Sequence, residues 1–333
     1  MQPEKIAAYL RQRMPDAADI AVSNVARIAG GASRETWSFD ASWTNGGGRV
    51  ERGFIIRRDP PASLLDGNNE LEFELYSALK DSGVPIPPVY WIERDGAALD
   101  RPFFVMGRLP GATDARTLVT SPQFAEVRPS IARQKAEILA RIHATDISAL
   151  RSLHRPSEGE TPADHEIGRW EAVLRRDALE PQPVLEMGFN WLKRHTPPPP
   201  ARLALVHADY RTGNFLYDES GITGILDWEM AHAGDPIEDV GWLMMKSWRW
   251  AGDDRVGGLC SRDEFIRMYE EAGGAKVDGD ALKFWEVFGN VKFATLFLTG
   301  LKSIIEGKTP DLLLALTAFI NPGVELEIME LIS

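Results

Sequence analysis

The chain has 333 residues, which allows about two domains at a prior of roughly 150 residues each. Hydrophobic residues make up 44% and charged residues 26% of the chain, which is ordinary globular usage and excludes a disordered or fibrous protein. The formal net charge of -12 repels a phosphate backbone, so nucleic acid is not an expected partner.

Cysteine content and hydropathy bear on the compartment. The single cysteine, Cys260, excludes an intramolecular disulfide and a cysteine-rich metal site, which fits a reducing, cytoplasmic setting. The opening stretch MQPEKIAAYLRQRMPDAADI lacks the apolar core of a secretory signal, so we expect no export. The most apolar late stretch, 291–305, contains Lys292 and Lys302 and is shorter than the roughly 20 residues of a membrane span. It is predicted to be a buried helix, and no membrane partner is expected.

The first predicted domain, residues 1–109, is a small antiparallel sheet with helices. The periodicity predicts helices over 4–14 and 70–80, and strands over 22–28, 36–43, 54–57 and up to 106. The polar stretch TNGGGR is predicted to be a hairpin loop.

The second predicted domain, residues 110–333, is mostly helical. Long helical periods include 130–144 and 166–179, and the proline run 196–200 separates a helix from the strand-like sequence ALVH. This domain holds 24 Lys and Arg against 34 Asp and Glu, so it carries -10 of the net charge.

The most informative segment is LALVHADYRTGNFLYDESGITGILDWEMAHAGDP, residues 203–236. Two short apolar strands, 215–217 and 222–226, are predicted to pair as a hairpin. Asp209 and Asn214 precede the hairpin and Asp227 follows it, so pairing would bring two carboxylates and an amide oxygen together. Mg²⁺ commonly uses one or two carboxylates plus substrate phosphates. The pattern therefore predicts a site for a hard cation.

Separate roles follow from the spacing within this segment. Asn214 and Asp227 are the predicted Mg²⁺ ligands. Asp209, five residues before Asn214, has the spacing of a base that accepts a hydroxyl proton beside a metal-binding amide, which indicates phosphoryl transfer. Taken singly, each of the three is also explained as a turn or helix cap.

The sequence HADYRTGN, followed by ILDWE and AGDPIEDVGWL, resembles the aminoglycoside phosphotransferase family, whose fold is similar to that of protein kinases. The resemblance implies an α+β, two-lobed, protein-kinase-like fold, with a small antiparallel-sheet lobe, a larger mostly helical lobe, and ATP or another nucleoside triphosphate bound between them with Mg²⁺. This chain has Ala208 where the family usually carries Gly. The pair Tyr210-Arg211 and the DWE triplet look most like the branch found fused to or beside acyl-CoA dehydrogenases.

The resemblance also suggests nucleotide-binding residues in the first domain. In AGGASRETW, Gly30 and Gly31 would admit a polyphosphate and Ser33 would donate to it; an ordinary hairpin turn is the alternative. Arg57 occupies the place of the strand lysine of related kinases, with Arg58 as the second choice and a solvated surface pair as the alternative.

Two further nucleotide-site elements follow the strand arginine. Glu72, with Glu74 as competitor, is the predicted helix acid that holds the strand cation. The sequence FFVMGRLPG resembles the hinge between lobes, where backbone groups of Met106 to Arg108 could bond an adenine edge; a strand end and turn is the alternative.

Three polar residues near the motif are expected to be structural. His207 is predicted to bond backbone and pin the loop, Asp235 is predicted to cap a helix start, and Asp239 is assigned a structural role with it.

Acceptor recognition is predicted from the region around the motif. Trp248 and Arg249 could line a pocket in which Arg249 pairs with an anionic group, and Arg211 and Glu229 are further candidates. Trp242 is expected to pack in the core. The expected acceptor is a small hydroxylated molecule, preferably a hydroxy acid or its CoA ester. An aminoglycoside-type resistance kinase and a catalytically silent pseudokinase remain the alternatives, while the absence of HRD, DFG and APE signatures argues against a protein kinase.

Overall fold

The computed structural model describes residues 1–28, 34–59, 69–250, 252–308 and 312–333. The chain divides into two compact units, residues 1–80 with 86–110 and residues 81–85 with 111–333. The short segment 81–85, which the sequence assigns to the first domain, thus packs with the second unit. It does so through its carbonyls: Pro85 accepts from the Ile225 N–H (2.7 Å) and Gly83 accepts from Arg141 (3.2 Å).

The first unit is built on a five-stranded antiparallel sheet of order β1-β2-β3-β5-β4. Its elements are α1 (Pro3–Arg13), β1 (Ala18–Ile28), β2 (Glu35–Asn45), β3 (Gly48–Arg58), α2 (Asn69–Leu79), β4 (Val89–Glu93) and β5 (Phe103–Gly107). The β2–β3 pairing continues to Asn45 opposite Gly48, so the connecting loop is shorter than predicted. Gly48, which follows this two-residue connection, has a left-handed backbone with φ of 114°, a conformation that glycine adopts without steric cost.

Helices cover both faces of this sheet. Phe103 of β5 packs edge-on against Tyr9 of α1, with ring centroids 5.1 Å apart. The next residue, Phe104, points to the opposite face and contacts Phe73 and Tyr76 of α2. The two-residue alternation of a strand therefore distributes the aromatic side chains between two apolar layers.

The second unit has two small antiparallel sheets among eight helices in the part of the chain described. β6 (Ala204–Val206) pairs with β9 (His232–Gly234), and β7 (Phe215–Asp218) pairs with β8 (Gly221–Ile225). The helices are α3 (Ala115–Thr120), α4 (Arg128–Ala144), α5 (Pro162–Asp177), α6 (Pro183–Arg194), α7 (Ile237–Met244), α8 (Arg262–Glu271), α9 (Gly279–Ile305) and α10 (Leu312–Ile332).

The long helix α9 is the centre of the second unit and packs against α5, α6, α7 and α10. The stretch 291–305, predicted to be a buried helix, is its C-terminal half. Gly241 permits the close approach of α7, since a Cβ atom there would lie 2.7 Å from the carbonyl carbon of Trp285. Among the helices that the structure describes, none combines the length and apolar character needed to cross a bilayer.

Candidate active site

The loop before the β7–β8 hairpin and the residue after it meet through the backbone. The Leu226 N–H donates to the Asn214 carbonyl at 2.9 Å, so the backbone pairing of the hairpin extends to these two residues. Asp227 is the next residue in the chain after this pair. Ala208 and Asp227 both have left-handed backbone conformations, with φ of 66° and 69°. Asp tolerates this region better than most residues, whereas Ala bears a steric cost there that Gly would not. That cost is a physical reason why a glycine would suit position 208.

Both oxygens of the Asp209 carboxylate are held by side-chain donors. Oδ1 accepts from Arg211 Nε and from Trp242 Nε1, each at 3.0 Å. Oδ2 accepts from Asn214 Nδ2, which also donates to the Asp209 carbonyl at 3.0 Å. The carboxylate is therefore fixed in one orientation, with the amide of Asn214 against it.

The loop backbone is anchored by two buried side chains. Asp239 accepts from the N–H groups of His207 and Ala208, both at 2.8 Å, and contacts His143 Nε2 at 3.0 Å. Burial raises the pKa of Asp239, but His143 and His207 outweigh it and leave the pKa below its ordinary value. His207 contacts the Leu226 carbonyl through Nε2 (2.9 Å) and accepts the Asp209 N–H through Nδ1 (3.3 Å). These are the backbone contacts expected of His207.

Asp235 lies where the sequence predicted a helix cap. Its Oδ1 accepts from the Ile237 N–H at the start of α7 (2.9 Å), and its Oδ2 accepts from the Trp285 indole (3.1 Å). Both oxygens are thus used within the fold.

The donor set at Asn214 and Asp227 fits a hard cation. Because Asn214 Nδ2 faces Asp209, the amide oxygen is the atom that Asn214 would present to a metal. Asp227 follows Leu226, whose N–H bonds the Asn214 carbonyl, and so brings a carboxylate to the same end of the hairpin. Two oxygen ligands of this kind match the protein share of a Mg²⁺ site that is completed by phosphates and water.

Two of the predicted acceptor residues, Arg211 and Trp248, belong to an aromatic group next to Asp209. The Arg211 guanidinium lies over the Trp248 ring, 4.8 Å from its centroid, and Trp248 packs on Trp242 (5.4 Å) and Phe293 (4.7 Å). Glu229 is half-buried, two residues after Asp227.

Both predicted acceptor cations have a carboxylate partner in the structure. Arg211 is paired with Asp209, and Arg249 is paired with the exposed Asp254 at 2.7 Å. These pairs engage Nε of Arg211 and Nη1 of Arg249. Three buried N–H groups nearby have no acceptor among the described residues: Trp248 Nε1, Arg249 Nε and Trp250 Nε1.

In the first unit, strand register distinguishes the two arginines of β3. Arg57 lies opposite Phe104 on the α2 side of the sheet, and Arg58 lies opposite Phe103 on the other side. Accordingly, Arg57 pairs with Glu72 of α2 at 3.2 Å, while Arg58 donates to Glu35 and to the Leu99 carbonyl. The predicted pair of strand cation and helix acid is therefore Arg57 and Glu72.

Glu72 is fully buried and has a second cation that the sequence analysis missed. Arg34 Nε lies 2.9 Å from Glu72 Oε2, and the Arg34 guanidinium also contacts Asp59. Arg34 comes directly after the glycine-rich stretch, which is the signal that could have identified it.

Two N–H groups of the predicted hinge form hydrogen bonds within the first unit. The N–H groups of Gly107 and Arg108 donate to the carbonyls of Pro88 (2.8 Å) and Gly53 (3.0 Å), and the Arg108 side chain binds Asp40. These two N–H groups are engaged within the unit, because strand pairing continues to the end of β5, so they are not presented to an adenine. Met106 is buried within β5, and the predicted phosphate contact Ser33 lies outside the described residues.

The sequence analysis also missed the contacts of Trp242 and Lys292. Trp242 is buried as predicted, yet its indole donates to Asp209. Lys292 is 1% exposed and donates to the Ala208 carbonyl at 2.9 Å. A lysine inside an apolar helix must find partners when buried, which is the signal that could have indicated it.

Comparison with known proteins gives a consistent result. The model of the phosphotransferase enzyme family (APH) matches residues 24–285. Acyl-CoA dehydrogenase family member 10 of Mus musculus is 27% identical over 240 residues, which are 66% of this chain and 22% of that protein. The chain spans between about a fifth and somewhat over a third of the length of the acyl-CoA dehydrogenase relatives that it matches.

Solved structures share the fold. A crystal structure described as an aminoglycoside phosphotransferase of Ralstonia eutropha has a TM-score of 0.76 at 21% identity, covering 99% of this chain and 98% of that one. A variant of aminoglycoside phosphotransferase APH(4)-Ia, in ternary complex with ADP and hygromycin B, has a TM-score of 0.66 at 17% identity, covering 98% of both chains. The predicted kinase-like α+β fold is confirmed.

Proposed function

Since the chain belongs to the phosphotransferase enzyme family, we propose that it transfers the γ-phosphoryl group of ATP to a hydroxyl group of a small molecule. The observation that carries this proposal is the juxtaposition of Asp209 and Asn214. A carboxylate fixed by three donors lies against an amide whose oxygen is left for a cation. The ADP complex of the structural relative supports a nucleotide as the phosphoryl donor.

The chemistry assigned to the residues is an in-line displacement. The acceptor oxygen forms a bond to the γ-phosphorus while its proton passes to Asp209, and the bond from that phosphorus to the β,γ-bridging oxygen breaks, leaving its electron pair on ADP. Asn214 and Asp227 would hold Mg²⁺, which when bound neutralises charge on the phosphates. Arg57, held by Glu72, would add a cation for the phosphates.

For the acceptor we propose a small hydroxylated acid or its CoA ester. The similarity to an acyl-CoA dehydrogenase family member supports this class. The unsatisfied donors of Trp248, Arg249 and Trp250 also favour an acceptor that is rich in carboxylate, phosphate or carbonyl oxygen. An aminoglycoside is the second candidate, favoured by the hygromycin B complex of the structural relative.

ADP release from ATP and Mg²⁺ tests the function, with hydroxy acids, hydroxyacyl-CoA esters, amino alcohols and aminoglycosides offered in parallel. We expect turnover with a hydroxy acid or a hydroxyacyl-CoA ester. Turnover with aminoglycosides alone would contradict the acceptor class and leave the transfer reaction standing. No ADP release with any acceptor, despite ATP binding, would favour a silent pseudokinase.

A further inference from the structure

A buried lysine of α9 lies directly behind the loop that carries Asp209. Lys292 Nζ donates to the Ala208 carbonyl at 2.9 Å and lies 4.9 Å from the centroid of the Trp242 ring. The ammonium therefore contacts two different neighbours of the Asp209 carboxylate: the preceding residue in the chain and the indole that bonds Oδ1.

The contact with Ala208 acts on the peptide that leads into Asp209. In the peptide group between Ala208 and Asp209, the Ala208 carbonyl accepts from Lys292 and the Asp209 N–H donates to His207 Nδ1 at 3.3 Å. A planar peptide bonded at both polar ends has its orientation fixed. Since Ala208 has a φ of 66°, this fixation also holds a backbone conformation that alanine by itself disfavours.

Three further buried side chains keep the ammonium in place. Lys292 Nζ lies 3.4 Å from Glu238 Oε1, Glu238 Oε2 contacts His232 Nε2 at 2.9 Å, and His232 lies 3.8 Å from Glu166. Burial disfavours the charged form of His232, but Glu166 and Glu238 outweigh it and raise its pKa to about 9. Burial would raise the pKa of Glu166, but His232, Arg169 and Lys292 lower it to about 2. The two carboxylates are thus balanced by two cations.

The same cluster has the spacing of a metal site, and its charge argues against that use. Glu166, His232 and Glu238 could hold a metal ion, with their ligand atoms within 4.8 Å of one another. Lys292 and the protonated His232 already supply the positive charge that a divalent ion would bring. Such an ion would have to displace both from Glu238.

We propose that Lys292 is a positioning residue for phosphoryl transfer, acting on Asp209 through the Ala208 carbonyl and the Trp242 ring. This inference rests on the proposed function for its catalytic consequence but not for its geometry. Lys292 touches no reacting atom. It fixes the direction from which the Asp209 carboxylate meets an acceptor hydroxyl.

The test compares Lys292→Met with Lys302→Met, on the full chain. Lys302 is a matched control, because it is also on α9, also donates to a backbone carbonyl (Arg176, 2.7 Å) and also pairs with a carboxylate (Asp177, 3.4 Å). The single variant Lys292→Met leaves the buried Glu238 carboxylate without this cation, which can prevent folding. The double variant Lys292→Met/Glu238→Gln removes both opposed charges and provides a folded sample in that case.

The first readout is the Trp242 indole N–H signal in a ¹H–¹⁵N spectrum, assigned with Trp242→Phe. We expect this signal to shift in both Lys292 variants and to stay in place in Lys302→Met. The second readout is ADP release. Displacing the Asp209 carboxylate in the Lys292 variants should lower kcat about 100-fold while the KM for ATP stays near the wild-type value.

Several outcomes would overturn the proposal: an unmoved Trp242 signal, an unchanged kcat, losses equal to those of Lys302→Met, or one divalent ion per chain that is lost in His232→Gln. If the wild-type protein released no ADP with any acceptor, the proposed function would fail. The indole signal would still decide whether Lys292 positions Trp242.

Discussion

The two oxygens of Asp209 are held by different donors, Oδ1 by Arg211 and Trp242 and Oδ2 by Asn214. The side that faces Asn214 is also the side of the predicted metal ligands. Proton acceptance is therefore assigned to the carboxylate of Asp209, and metal binding to the neighbouring side-chain oxygens of Asn214 and Asp227. Single substitutions can distinguish them.

Asp227→Ala is expected to weaken ATP binding in the presence of Mg²⁺ by at least about 10- to 100-fold, because a metal ligand is lost while the triphosphate charge stays uncompensated. Binding without Mg²⁺ should change little. Asp218→Ala is the matched control, since Asp218 lies at the turn of the same hairpin and its carboxylate accepts from Ser220. Calorimetry with and without Mg²⁺ measures both. Unchanged metal-dependent affinity in Asp227→Ala would reduce Asp227 to a structural residue.

Some residue contacts could be predicted and others could not. Alternation along a strand predicted that only one of Arg57 and Arg58 faces the helix acid, and register shows that Arg57 pairs with Glu72. The bond from Trp242 to Asp209 was not predictable, because it joins residues far apart in sequence through the packing of α7 against the loop. Tertiary contacts of this kind leave no local periodicity.

The packing of α7 on α9 depends on one glycine at the element scale. Gly241 has the backbone and Cβ of Trp285 within 2.8 Å of the place where its own Cβ would lie. Helix–helix contacts this close require a residue without a side chain. The helix that carries Lys292 and the one that carries Trp242 are thereby held together.

Gly241→Ala is expected to destabilise the second unit by about 1–3 kcal/mol, because the helices must separate to admit a methyl group. Gly168→Ala offers a control, since Gly168 lies inside α5 with no atom within 4 Å of an added Cβ. That change should stabilise the protein by about 0.5–1 kcal/mol. Urea unfolding of both variants measures the difference, and equal stability would mean that the α7–α9 contact can relax.

Element types were well predicted from periodicity, and their ends were not. The strand predicted over 54–57 is longer in the structure and begins at Gly48. Its first half was not predicted because most of its residues are polar and can be solvent-exposed in a hairpin. The helix predicted over 166–179 is α5, which begins at Pro162 behind a Thr161 cap and ends at Asp177. Caps and hairpin turns determine the ends, and they depend on a few residues that apolar periodicity does not report.

Ionisable groups buried in the second unit make the stability of the whole molecule depend on pH. Lys135 is 1% exposed and donates to Thr212 Oγ1 at 3.2 Å, and burial lowers its pKa to about 7. Its folded-state pKa is below that of the unfolded chain, so the cost of burying the charge is complete below pH 7 and is relieved between about pH 7 and 10.5. His232, with its pKa raised to about 9, contributes in the opposite sense: its stabilisation is complete below pH 6.5 and is lost as pH rises through 9.

Lys135→Met should therefore be more stable than the wild type at pH 6, with an advantage that shrinks steadily as the pH rises to 10. Thermal unfolding of both proteins in matched buffers measures this difference in Tm. His232→Gln should show the reverse, being least stable relative to the wild type at low pH. A Tm difference for Lys135→Met that does not vary with pH would mean that Lys135 is not buried as a charge.

At the scale of the whole chain, the sequence motif predicted the family and the kinase-like fold, because HADYRTGN and ILDWE hold their spacing in one segment. The packing of segment 81–85 with the second unit was not predictable. It depends on hydrogen bonds from Ile225 and Arg141 to backbone carbonyls, which any residue type could offer.

The most direct test of the central claim is Asp209→Ala, assayed for ADP release with the identified acceptor and for Mg²⁺-dependent ATP binding in the same samples. Alanine is preferable to asparagine, because the NH₂ group of an asparagine would face either Asn214 Nδ2 or the donors that bond Oδ1. In the alanine variant the backbone carbonyl of residue 209 can still accept from Asn214. Loss of the base should lower turnover about 10²- to 10⁴-fold while ATP affinity stays near the wild-type value. Wild-type turnover in Asp209→Ala would contradict the assignment of Asp209 as the proton acceptor.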